Sequence, residues 1–218
     1  MEAYLLAKEK ANEKGNVALE AARVQYRAFA AENNIKLIDS ESDLDNKIKI
    51  TNEVIKYTNT AYLLSFKSYK NEVYLIDAVS RNDLTAIEQT RNALSQSAKE
   101  DIVTAGELAT FKNDATVKNA LVQLLNFYKT EADQKMQSYM DYVLAKEKFE
   151  KIKKVYDSSS KKSQDDVNAY NNAVNDLNAK SKAANAMNQE LNKARSTVFS
   201  NWNNAYDSFL NKYTPKHR

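Results

Sequence analysis

Apolar residues recur along this chain at intervals of three and four, and almost nowhere in alternation. That period belongs to helices with one buried stripe. Residues 2–33 predict a first helix, with Leu19, Ala22, Val24, Tyr26 and Phe29 in its better-patterned half. Asn33 and Asn34 suit its end, because Asn tolerates the left-handed conformation. Ile35, Leu37 and Ile38 make a short apolar linker expected to tuck against the core. The polar cluster Asp39–Asp43 holds several N-cap candidates, and a second helix comes next over about 43–81. Its large apolar residues, Ile48, Ile55, Tyr62, Phe66, Tyr69, Val73 and Ile76, fall at spacings of 7, 7, 4, 3, 4 and 3. This is the a/d rhythm of a bundle helix, and the stripe is expected to be its buried seam.

After the turn Arg81-Asn82-Asp83, a third helix is predicted over 84–108, with Leu84, Ile87, Leu94, Ala98, Ile102 and Ala105 as its stripe. Lys112-Asn113-Asp114 turns into a fourth, over 114–155, with Val117, Leu121, Leu124, Tyr128, Ala132, Met136, Tyr139 and Val143 inward. Asp157-Ser158-Ser159-Ser160 is the clearest loop signal. A fifth helix over 163–213 carries Tyr170, Val174, Leu177, Ala184, Leu191, Val198, Trp202 and Phe209, and Pro215 stops it. Its other faces are full of Asn, Ser and Asp, so it depends on packing more than on intrinsic propensity. Short connections imply antiparallel neighbours. The pattern predicts an all-α fold, an elongated antiparallel bundle of four to five helices with coiled-coil-like packing, as one domain over 1–218. The third helix is shorter than its partners. That mismatch predicts an open groove between the second and fourth helices, where a ligand or partner would sit.

Composition narrows the chemistry. Two Gly and one Pro in 218 residues are too few to turn a sandwich or barrel, and Gly15 and Gly106 are too far apart for a glycine-rich phosphate loop. The chain has no Cys, which removes thiolate nucleophiles, disulfides and cysteine-ligated metals. Its one His, His217, stands second from the C-terminus, so catalytic triads, His-ligated zinc and ferritin-like di-iron sites are excluded. No cofactor or metal is expected. Lys and Arg total 32 against 29 Asp and Glu, far from the charge of a nucleic-acid binder. No stretch is long and apolar enough for a membrane span, and the first residues lack the basic and apolar regions of a signal peptide. Carboxylate pairs such as Glu100-Asp101 and Glu131/Asp133 read as exposed helix charges, and no enzymatic activity is expected.

The candidate interaction surface is drawn from residues off the predicted seams. Tyr57, Tyr74 and Tyr142 are candidates because Tyr is enriched at interfaces. Lys146, Lys151 and Lys154 belong to a basic run closing the fourth helix, which could meet an acidic partner or anionic headgroups. The same run complements the negative end of the helix dipole.

The stretch Leu121-Val122-Gln123-Leu124-Leu125-Asn126-Phe127-Tyr128-Lys129, after the turn Phe111-Lys112-Asn113-Asp114, resembles uncharacterised all-helical surface lipoproteins of bacteria. The resemblance covers about residues 44–210 in helix order. It implies a cell-envelope or extracellular location and carries no activity with it, and no lipidation Cys is present in this sequence. The expected function is a non-enzymatic helical-bundle protein of the bacterial envelope. Such a protein would bind another protein or an envelope component, without nucleic acid or a transmembrane segment. Any peripheral membrane association would need a lipid anchor. The alternative is an intracellular coiled-coil adaptor or oligomerisation module.

Overall fold

The computed structural model describes residues 2–37 and 42–216. Among them, every regular element is helical. The chain divides into two compact units, residues 1–46 and 47–218. Periodicity alone predicts one bundle over both, because it carries no mark of the boundary.

The first unit is built on α1 (Glu2–Glu32). Asn34 takes the left-handed conformation, φ 53°, and the Asn33 side chain donates to the Phe29 carbonyl at 2.8 Å, so the helix ends as its sequence predicts. Its apolar positions do not form a buried stripe: Val17, Leu19, Val24, Tyr26 and Phe29 are all exposed. Ile35 is exposed and Leu37 half-buried; Ile38 and the cap candidates Asp39, Ser40 and Glu41 lie outside the described residues. The cap that forms is Ser42. Its hydroxyl accepts from the Asp45 amide at 3.1 Å while the Asp45 carboxylate accepts from the Ser42 amide at 3.0 Å. This capping box opens α2 (Asp43–Ser80).

The second unit holds α2 from residue 47, then α3 (Leu84–Glu107), α4 (Thr116–Thr130), α5 (Met136–Ser158) and α6 (Gln164–Tyr213). Between α4 and α5 runs a π-helical turn, Glu131–Lys135. The fourth predicted helix, 114–155, is therefore longer and interrupted. It starts later because Lys112 and Asn113 are both left-handed and Asp114 accepts from the Thr116 amide. The remaining ends fall where their caps put them: Asn82 is left-handed, Asp83 accepts from the Ala86 amide, and Ser163 and Asp166 form a second capping box.

The core draws on Ile87, Leu94, Ala98 and Ala105 of α3, Val117, Leu121, Leu124, Leu125 and Tyr128 of α4, and Leu191, Val198, Trp202 and Phe209 of α6. All but Leu125 belong to the predicted seams. On α2 the prediction is wrong. The buried face is Val54, Thr58, Ala61, Ser65, Ser68, Glu72, Leu75 and Ala78. Ile48, Ile55, Tyr62, Tyr69, Val73 and Ile76 are between 36% and 49% exposed, and Phe66 is half-buried. The physical reason is close approach to α3. Ser68 Oγ meets Ser97 Oγ at 3.1 Å and donates to Asp101 at 2.8 Å, while Asn71 donates to the Ala93 carbonyl at 3.2 Å. Side chains the size of Ile or Tyr would not allow these contacts.

Past the short third helix, a loop aromatic occupies the end of the second unit between α2 and α6. The loop after α3 drives Phe111 against Tyr57, Phe209 and Tyr213, with ring centroids 5.0–5.4 Å apart. The loop supplies the bulk the missing helical turns do not.

Candidate functional site

Two features of the second unit stand apart from ordinary bundle packing. One is the outer face of α2. Its residues 54, 58, 61, 65, 68, 72, 75 and 78 step by three and four, as a packed seam must. Residues 48, 55, 62, 66, 69, 73 and 76 step the same way about a quarter-turn round the cylinder. The inner seam is buried and, apart from Val54, Glu72 and Leu75, made of Ala, Ser and Thr; the outer seam is large, apolar and about half exposed. Such contiguous exposed apolar surface on a folded domain marks a contact site. Within it Tyr62, Phe66 and Tyr69 rings sit 5.9 and 6.4 Å apart, a row of aromatic faces.

The other is a polar waist across the bundle. Arg195 of α6 donates from Nε to Glu72 Oε1 of α2 at 2.8 Å and from Nη2 to Glu131 Oε1 of the π turn at 2.5 Å. Its third nitrogen donates to Asn192 Oδ1 at 2.8 Å, and its guanidinium carbon lies 5.7 Å from the Phe127 ring centroid. The carboxylates are buried, at 3% and 1% side-chain exposure. Two buried negative charges against one positive leave one charge uncompensated, and the site answers with a proton. Burial, and then the Glu72 charge, push the Glu131 carboxyl up to about 8, with Arg195 pulling the other way. Burial and the same two glutamates also drive the Tyr128 hydroxyl well above its ordinary value.

The π turn places Glu131 in this network, since its extra residue rotates α5 relative to α4. Where the backbone ladder changes register, Arg91 Nε donates to the Ala132 carbonyl at 2.8 Å. Asp133, two residues on, turns to α3, accepting from Ser95 and pairing with Lys99 at 3.0 Å. Glu131 and Asp133 are thus not a pair facing one ligand. Glu100 and Asp101 diverge as well: Glu100 is exposed and holds Lys67 at 3.0 Å, while Asp101 accepts from Ser68. Chemically the waist stores a proton and ties α2, α4 and α6 together. Among the described residues no group of three or more Asp, Glu, His or Cys is arranged to hold a metal ion.

The surface residues named from sequence are scattered. Tyr57 is half-buried in the Phe111–Phe209 aromatic cluster, and burial raises its hydroxyl pKa. Tyr74 is exposed, with Lys70 Nζ 5.2 Å from its ring centroid. Tyr142 is half-buried against Tyr139. Lys146, Lys151 and Lys154 belong to α5 and are all exposed; Lys151 lines a shallow cleft of about 260 Å³ with Val155, Tyr156 and Asp166. His217 lies outside the described residues. Sequence reasoning misses the outer face of α2 as a surface because its strong heptad has the spacing of a core. The signal that could find it is a second, weaker seam of Ala, Ser and Thr beside the first.

No family model, curated protein or solved structure matches this chain.

Proposed function

We propose that this is a non-enzymatic interaction protein that works by offering the outer seam of α2 to another helix. One observation carries the reading: α2 has two heptad seams, and its own bundle fills only the small one. A helix with two seams is built for two neighbours. The alternation of Ile and Tyr suits a helical partner, since aromatic and β-branched side chains give large contact area at little entropic cost. The adaptor or oligomerisation alternative is favoured by the same seam. The cell-envelope setting rests on the resemblance to surface lipoproteins, and fractionation of cells of the source organism tests it.

The chain has no Cys, so a single introduced thiol reports on one place. In a Tyr69→Cys variant, labelling by a maleimide should be fast in dilute purified protein and slow in extract of the source cells. Labelling equally fast in both, and unchanged at high protein concentration, would defeat the reading.

A further inference from the structure

Resting on that reading, we propose that the helix received by the outer seam of α2 is α2 of a second copy, lying antiparallel about a twofold axis at Tyr62. Ile48, Ile55, Tyr62, Tyr69 and Ile76 are evenly spaced, and Tyr62 is the midpoint of the set. Reversing the helix therefore lays the stripe on itself. Ile48 meets Ile76 of the second copy, Ile55 meets Tyr69, and Tyr62 meets its own counterpart. This is the self-complementary surface that a closed twofold dimer needs. Phe66 and Val73 then lie over the shorter Asn59 and Asn52 of the other copy.

The rim agrees at its ends. Lys49 and Asp77 border the stripe on the same side, at opposite ends, and antiparallel pairing sets each Lys49 beside an Asp77 of the other copy. In the free chain Asp77 holds Arg81 at 3.0 Å in a pair more than half exposed, so it is open to a further cation. Lys70 is drawn over the Tyr74 ring, away from the stripe. The stripe runs about 42 Å along the helix. Covering its half-exposed side chains on both copies buries about 1,000 Å², at the lower edge of specific interfaces. Such an interface gives a dimer of micromolar stability, closed at high local concentration and open when dilute.

Sedimentation velocity on the full chain at about 1–200 μM, with Tyr62→Glu and Ile55→Glu alongside, tests this. The expected result is a monomer–dimer equilibrium weakened about tenfold or more by either substitution, with helical content and melting unchanged. Single-thiol variants then read the direction. Tyr62→Cys should crosslink to itself. Ile48→Cys and Ile76→Cys should each stay uncrosslinked alone and crosslink when mixed. Self-crosslinking of Ile48→Cys means parallel pairing and overturns the proposal, as does a dimer indifferent to both Glu variants. A strict monomer overturns it as well, and the Tyr69→Cys labelling separates the two failures. Protection in extract alone leaves the seam reading standing with a different partner. Protection in the purified monomer puts another segment of the same chain on the seam. Labelling that is fast everywhere removes both proposals.

Discussion

The waist of the bundle and its aromatic end bury comparable machinery by opposite means. At the waist, Arg195 stands between Glu72 and Glu131 with hardly any solvent reaching the carboxylates. At the end, Tyr57, Phe111, Phe209 and Tyr213 close a ring cluster, and charged contacts lie on its margin: Lys112 Nζ is 5.2 Å from the Phe111 ring centroid, Lys212 Nζ meets Asp114 at 2.7 Å and the Tyr213 hydroxyl donates to the same carboxylate at 3.0 Å. The end is held by area removed from water, which tolerates small shifts. The waist is held by directional bonds among desolvated charges, which must all be present or the remainder is left unpaired. A bundle can be closed with either; the first gives bulk stability, the second fixes which helix faces which.

The sharpest way to break this contrast is at Arg195. Arg195→Leu strands two buried carboxylates, and chemical denaturation should show a loss of about 3–5 kcal/mol. A change under about 1 kcal/mol would mean that the waist is not the directional lock described. Phe209→Ala, at the other region, opens a cavity beneath Phe111 and Tyr57 and should cost about 3–4 kcal/mol, with the unfolding transition still cooperative.

The two regions should also respond to pH with opposite sign. Glu131 has its pKa raised above the ordinary 4.5, to about 8, so the folded chain holds a proton there that the unfolded chain has released. Its contribution is complete below about pH 4.5 and is lost as pH rises through about 8. Glu131→Gln should flatten the fall in stability between about pH 4.5 and 8 while leaving stability below about pH 4.5 nearly unchanged. Asp114 is the reverse case. Its hydrogen bonds from Lys212, first, and from Thr116 hold its carboxyl well below the usual 3.8. Its contribution is present above that value and lost as pH falls below it. Asp114→Asn should cost about 1 kcal/mol at about pH 7 and remove part of the acid-side loss. If both variants altered the same side of the profile, the contrast between waist and end would fail. The smallest effect belongs to the outer seam: Ile55→Ala in dilute protein should shift stability by no more than about 0.5 kcal/mol, because the bundle does not use that side chain.

How much of this was legible beforehand depends on the helix. On α4 and α6 a single apolar stripe exists, and Leu121, Leu124, Leu191, Trp202 and Phe209 lie where it points. On α2 two stripes compete, and hydrophobicity alone ranks them wrongly. Ser68, Ser65 and Ala61 win the interior because they let α3 come close and bond across, a gain no side-chain scale records. The place of Phe111 was missed for a similar reason: it sits in a loop, where periodicity says nothing. The waist was not legible at all. Glu72, Glu131 and Arg195 are separated by dozens of residues and each looks like a solvated helix charge.

By itself the sequence determined the helices, nearly all their ends and the all-α class, because caps, turn residues and three-and-four spacing act over a few residues and leave local marks. Tertiary structure decided which face of α2 goes inward, that a loop aromatic closes the short layer, and that three distant charged residues meet in the core. Those outcomes depend on which surfaces approach closely and how much water is expelled between them, quantities that exist only once the helices have come together.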